Sequence, residues 1–189
     1  MSIKLGHQEE PRLRIPKKTC RVGIVLCSQM SLGSLGLLMD LFRMGNQMPG
    51  LHRFELNRVS QDGTPVVHED GELRVDGDMG LLSDMDLVIV PSMWTQGSEA
   101  VARHPGLVQA LRDLPQRVFV VTVCTGAYLL AASGRLDGLR ATTHWLLAGG
   151  LQAAYPAVRV DARENLIEQG RLVCSGGAMA GVDAGLRAV

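Results

Sequence analysis

The chain is 189 residues long, carries 19 basic and 19 acidic side chains for a net charge of zero, and is 46% hydrophobic. That length fits one α/β domain with a core large enough to need no disulfide or metal staple, and the composition excludes a disordered or fibrous chain. A domain that binds nucleic acid by itself carries a basic excess, which is missing here.

The first 20 residues read as a basic tail, with Lys4, Arg12, Arg14, Lys17 and Lys18 and no apolar run of the secretory kind. Val22–Leu26 (VGIVL) then predicts a strand buried on both faces. A Ser/Gly-rich turn over 28–34 leads into a helix carrying Leu35, Leu38, Met39 and Phe42 at i, i+3, i+4 and i+7, stopped by Gly45-Asn46. A second strand is expected over 54–60. Residues 61–87 hold eight acids and one base. Their turn dipeptides Asp62-Gly63, Asp70-Gly71 and Asp76-Gly77 predict short antiparallel strands or a hairpin. Asp76-Gly77-Asp78 lacks the other ligands of a calcium loop, so these are read as solvated turn acids.

Leu87–Pro91 is the next buried strand, and residues 97–114 are helical with a break at Pro105. Val118–Val123 is the most β-prone run. A helix over 127–132 ends at Gly134, 141–143 is extended, and 145–154 is helical. Three short strands are expected at 157–160, 166–168 and 172–174, with a last helix after Gly176-Gly177. Val182, Leu186 and Val189 are still in helical phase where the chain stops, which suggests a piece of a longer molecule. Alternating buried strands and helices predict an α/β fold, a doubly wound and mostly parallel sheet between helices.

The 17 uncharged residues from Val118 to Gly134 fall short of the ~20 needed to span a bilayer, so no membrane contact is expected. Cys20, Cys27, Cys124 and Cys174 form no CxxC pair and have no histidine at ligand spacing, so free thiols in a reducing cytoplasm, with no metal and no cofactor, are expected.

The chemistry lies in Val120–Leu130. A core strand ends at Cys124, Gly126 follows, and a helix begins at once. This is the layout of a nucleophile elbow, which lifts one reactive side chain above the carboxyl ends of the strands. A helix N-terminus favours thiolate, so Cys124 is expected to be the most reactive of the four cysteines. A buried structural cysteine is the alternative reading.

The run VCTGAYLLAASGRLDGLRATTHW (residues 123–145) resembles the elbow region of the ThiJ/PfpI superfamily, which has a class I glutamine-amidotransferase-like fold, a flavodoxin-like three-layer sandwich. This form of it looks most like the ligand-sensing amino-terminal domain of AraC-family transcription regulators, and some isonitrile hydratases share it. The resemblance runs from Val22 to Asp183, assigning residues 21–189 to such a domain. It implies that Cys124 is the nucleophile or sensing thiol and that His144, twenty residues later, lies beside it. His144 could equally cap a helix.

Two departures from the family pattern stand out. The position that holds a carboxylate in catalytic members is Ser34 here, and a hydroxyl is no general base at neutral pH. The usual Pro-Gly-Gly turn is Pro91-Ser92-Met93-Trp94, where oxyanion donors could survive on the Met93 or Trp94 amides. The expected site is one cavity at the carboxyl end of the sheet formed by Ser34, Met93, Trp94, Cys124, Thr125 and His144, suited to a small polar ligand. The resemblance implies a small-molecule effector, a homodimer, and DNA contact only through a helix-turn-helix region beyond Val189. A cysteine-dependent enzyme of isonitrile-hydratase type, using Cys124 and His144, and a bare dimerisation scaffold are the other readings.

Overall fold

Val22, Ile24, Leu87–Val90 and Phe119–Val123 are fully or almost fully buried, so the strands that carry them need cover on both faces. The computed structural model, which describes residues 19–48 and 53–186, supplies that cover by a doubly wound path. Its elements are β1 (Thr19–Val25), α1 (Leu32–Gly45), β2 (Arg53–Val59), β3 (Val66–His68), β4 (Gly71–Leu73), β5 (Leu87–Val90), α2 (Gly97–Arg103), α3 (Pro105–Asp113), β6 (Phe119–Val123), α4 (Gly126–Ala132), β7 (Arg140–Ala141), α5 (Ala148–Ala154), β8 (Arg159–Val160), β9 (Leu166–Gln169), β10 (Leu172–Ser175) and α6 (Ala178–Leu186). The main sheet has six strands in the order β2-β1-β5-β6-β10-β9. All neighbours are parallel except β9, which runs antiparallel to β10 at the edge.

The path leaves β1 in one direction to reach β2, then moves the other way through β5, β6 and β10. Crossovers of one hand that travel in opposite directions place their helices on opposite faces. The helices gather accordingly, α1 with α6, and α2 and α3 with α4. Direction reverses between β1 and β5, the place where doubly wound sheets open a crevice at the carboxyl ends of their strands.

Most expected elements are present, with shifted boundaries. β1 begins at Thr19 and already pairs Thr19 with Arg53 and Cys20 with Phe54. The remainder of the basic tail, like Val189 of the last helix, lies outside the described residues. α1 starts at Leu32 rather than after the Ser/Gly-rich turn, because Ser31 caps it by accepting from the Ser34 amide. At its other end Asn46 bonds both the amide and the carbonyl of Phe54, tying the helix stop to β2.

The hairpin expected in the acidic region is β3–β4, paired His68 to Gly71. Asp76 and Asp78 have structural partners: Asp76 takes the Arg58 backbone amide and two guanidinium nitrogens, while Asp78 caps Gly80. The bonds from Arg58 hold the Asp76 carboxyl below the usual carboxylate range.

Two glycines test this packing in opposite directions. A Cβ on Gly126 would stand 2.8 Å from the Val90 carbonyl and 3.0 Å from that of Pro91, backbone that cannot move aside. Gly126→Ala is expected to cost about 1–3 kcal/mol in urea unfolding by overpacking. A Cβ on Gly36, inside α1, meets nothing within 4 Å, so Gly36→Ala is expected to raise stability by about 0.5–1 kcal/mol in the same assay.

Candidate functional site

Directly after β6, Cys124 has a backbone φ of 53°, the one described non-glycine residue in the left-handed region. Such a conformation costs about 1–3 kcal/mol unless its surroundings hold it. Three separate segments do so. The Cys124 amide donates to the Ser175 carbonyl at the end of β10 (2.8 Å), and the Thr143 hydroxyl donates to the Cys124 carbonyl (2.8 Å). Thr125 accepts from the Met93 amide at 2.7 Å and donates to the Met93 carbonyl at 3.1 Å. α4 then starts at Gly126, so the turn has the geometry of a nucleophile elbow.

The loops that follow β1 and β5 meet across the switch point. Ser31 N–H donates to the Ser92 carbonyl (2.8 Å), Trp94 N–H donates to the Gln29 carbonyl (2.7 Å), and Met30 pairs antiparallel with Met93. The expectation that the Met93 or Trp94 amide remains free as an oxyanion donor is therefore corrected. Met93 N–H serves Thr125 and Trp94 N–H serves Gln29, so both amides already have partners.

The six expected site residues lie on segments joined by these bonds, and their side chains point to several tasks. Ser34 is buried, and its hydroxyl donates to the Ser31 carbonyl within the first turn of α1 (2.9 Å). Met93 is buried, whereas Trp94 is 77% exposed and lines a cleft of about 220 Å³ with Ser28, Gln29, His68 and Glu69. His144 caps the short 3-10 turn of Trp145–Leu147: its Nδ1 accepts from the Leu146 amide at 3.3 Å, and its ring stacks on Trp145. With Nδ1 accepting, the assigned tautomer carries the proton on Nε2.

Thr143, Ser175, Gln29, Ser31 and Ser92, which hold the elbow and its facing loops, were not identified as site residues from sequence. Thr143 stood inside the quoted motif. The others act through backbone groups, which leave no residue-type signal.

His68, Glu69 and Asp70 bring a ring nitrogen and two carboxylates within 4.8 Å of one another. His68 accepts the Asp70 amide at Nδ1 and turns Nε2 to the Met30 carbonyl (3.1 Å), so both ring nitrogens are engaged. The cluster does not fit a metal in this arrangement. It anchors the β3–β4 hairpin to the loop after β1.

Burial pushes the Cys27 and Cys174 thiols from 9.0 up to about 11, against weaker opposing hydrogen bonds. Both therefore hold their protons more tightly in the fold than in the unfolded chain. Their contribution to stability is complete below pH 9 and is lost as pH rises towards 11, so the melting temperature is expected to fall across that window. Native labelling with a thiol reagent at pH 8 is expected to spare these two, with labelled sites read by peptide mass. Thr125→Val removes both bonds to Met93 and leaves its buried amide without a partner. It is expected to cost about 1–3 kcal/mol in denaturant unfolding.

The DJ-1/PfpI family model matches residues 21–189. HTH-type transcriptional regulator GbdR of Pseudomonas aeruginosa is 31% identical over 169 residues, which are 88% of this chain and 44% of that protein. Isonitrile hydratase of Pseudomonas putida is 39% identical over 71 residues, 38% of this chain and 30% of the enzyme. The chain thus spans less than half the length of either relative. In structure it is similar to an AraC family transcriptional regulator from Pseudomonas putida, with a TM-score of 0.75 at 21% identity over 88% of this chain and 89% of the other. That likeness fixes the fold, and with the elbow at Cys124 and the match from residue 21 onwards, the chain belongs to the DJ-1/PfpI family.

Proposed function

We propose that this chain is the effector-sensing, non-catalytic domain of an AraC-type transcription regulator, working in the cytoplasm as a homodimer. DNA would be contacted through a helix-turn-helix region outside these residues. Its similarity to GbdR supports the regulator setting. The effector site is placed at the carboxyl ends of β1, β5 and β6, with Ser34, Met93, Trp94, Cys124, Thr125 and His144 contributing to it. Exposed Leu37, Met44 and Met48 on and just after α1, with Met179 and Leu186 on α6, offer apolar surface for self-association.

The observation that carries the non-catalytic reading is the pairing of the Met93 and Trp94 amides with Thr125 and Gln29. Addition to an isonitrile carbon or an acyl group builds negative charge that needs free, aimed donors. It also needs a group that moves a proton, and the Ser34 hydroxyl is neither a base nor free, since it donates to Ser31. A cysteine enzyme of isonitrile-hydratase type is favoured by one feature, the left-handed backbone at Cys124.

Cyclohexyl isocyanide separates the two readings. Hydration would add water across the isocyano carbon to give N-cyclohexylformamide, which chromatography detects. The expected result is no product above the level given by Cys124→Ser. Turnover by the unmutated chain that Cys124→Ser abolishes would overturn the sensor reading and promote the enzyme.

A further inference from the structure

The zero net charge is the sum of two unequal regions. Residues 61–87 hold eight acids and one base, so the rest of the chain carries 18 basic and 11 acidic side chains. The first six of those eight acids, from Asp62 to Asp78, follow the carboxyl end of β2, where Gly77 bridges Val59 and the β3–β4 hairpin reaches Met30. Arginines gather at the opposite, amino end of the sheet.

Three of them form a row there. Arg21 directly precedes the first β1 residue paired with β5, Arg117 lies two residues before β6, and Arg171 directly precedes β10. Backbone bonds hold these positions level: Asp86 N–H donates to the Arg21 carbonyl, Phe119 N–H to the Asp86 carbonyl, and Val120 N–H to the Arg171 carbonyl. The row crosses the adjacent strands β1, β5, β6 and β10, a span of about 14 Å at ordinary strand spacing. Arg112, in the last turn of α3, and Arg135, just after α4, flank it beside the Leu114–Arg117 turn.

The partners of these five guanidinium groups are backbone carbonyls. Arg171 lies over the Phe119 ring at 4.3 Å and donates to the Arg117 carbonyl at 3.2 Å. Arg117 donates to the Ser83 carbonyl at 2.8 Å and Arg21 to the Asp84 carbonyl at 3.3 Å. Arg112 donates to the Ala132 and Ser133 carbonyls, both at 3.3 Å, and Arg135 to the Leu114 carbonyl at 2.7 Å. By contrast, Arg43, Arg58, Arg103, Arg140 and Arg163 are held by carboxylates. A carbonyl fixes a guanidinium without cancelling its charge, and five N–H groups on each leave donors over for an anion. Asp84, Asp86 and Asp113 share this end of the sheet, but Asp86 already accepts the Arg21 amide and Asp113 the Gln109 side chain.

We propose that the amino end of the sheet is a docking surface for the phosphate backbone of duplex DNA, gripped without regard to base sequence. Phosphates recur about every 3.4 Å along the axis on each strand, so a row of about 14 Å spans about four of them. A planar guanidinium matches phosphate oxygens in a way that a point charge does not. β1 begins at this end, so Lys17 and Lys18, which precede it in sequence, join the chain there. The choice of DNA as the polyanion rests on the regulator reading, and the contact adds to any made by a helix-turn-helix region.

The test follows the fluorescence anisotropy of a labelled duplex of about 20 base pairs and arbitrary sequence as this chain is added, with salt raised from about 50 to about 200 mM. The expected result is saturable binding whose log affinity falls with log salt at a slope of about −3 to −4, that of three to four phosphate contacts. Arg21→Gln, Arg117→Gln and Arg171→Gln are each expected to weaken binding about threefold at low salt and to reduce the slope by about one. Asp84→Asn, which keeps the carbonyl that Arg21 uses, is expected to tighten binding about twofold, because it removes a like charge to the phosphates. Arg163→Gln, at a guanidinium already held by Asp161, is expected to change nothing. No saturable binding at low salt overturns the surface. So does an affinity unchanged in all three arginine variants, an equal loss in Arg163→Gln, or vesicles of phosphatidylserine and phosphatidylcholine bound as tightly as the duplex. Isonitrile turnover alongside salt-dependent DNA binding overturns the sensor reading alone, whereas the absence of both overturns this surface alone.

Discussion

A cysteine held at a φ of 53° would relax into an ordinary extended or helical backbone if its neighbours let it. At Cys124 they do not, because β10 holds its amide, Thr143 holds its carbonyl, and the loop after β5 holds the side chain of Thr125 next to it. Each such bond contributes about 0.5–1.5 kcal/mol, so together they offset strain of about 1–3 kcal/mol. Gly126 completes the arrangement, since any larger residue would collide with the Val90 and Pro91 carbonyls. The elbow is therefore a property of four chain segments rather than of the CTG tripeptide alone.

The same bonds govern what the site can do. A parallel sheet tends to open where its winding direction reverses, here between β1 and β5. In this chain the two loops over that point pair with each other through Ser31–Ser92, Met30–Met93 and Gln29–Trp94. The pairing anchors Thr125 from above and steadies the thiol turn, while taking up the amides that an acyl-transfer centre would present to its substrate. The Met93 amide is thus part of what holds the elbow, and the Trp94 amide part of what joins the two loops.

Open space lies to one side, between the β1 and β2 loops and the α2–α3 junction. There Pro105 begins α3 directly after His104, so the junction residue is not drawn into either helix interior. Its ring stays beside Arg103 with one nitrogen unpartnered. The acidic stretch of residues 61–87 contributes Asp62 to this cleft and His68 to the contact with the Met30 carbonyl in the loop after β1. A segment that composition marks only as turns thus supplies walls and contacts for the carboxyl end of the sheet.

The alternation of VGIVL, LVIV and FVVTV with amphipathic runs determined the layers and the parallel sheet, because burial on both faces demands helices on both sides. The CTG run directly after FVVTV determined the elbow, since a strand and a helix joined without a linker can turn only there. The pairing of Met93 and Trp94 with Thr125 and Gln29 was decided by the fold alone, as backbone amides carry no residue signature. So was the fate of His144, whose capping of its own turn depends on a backbone angle rather than on spacing. The cleft at His104 is likewise invisible in the sequence: its lining comes from four separate stretches, 25–28, 60–66, 79 and 103–107, brought together only when β1, β2 and the α2–α3 junction pack.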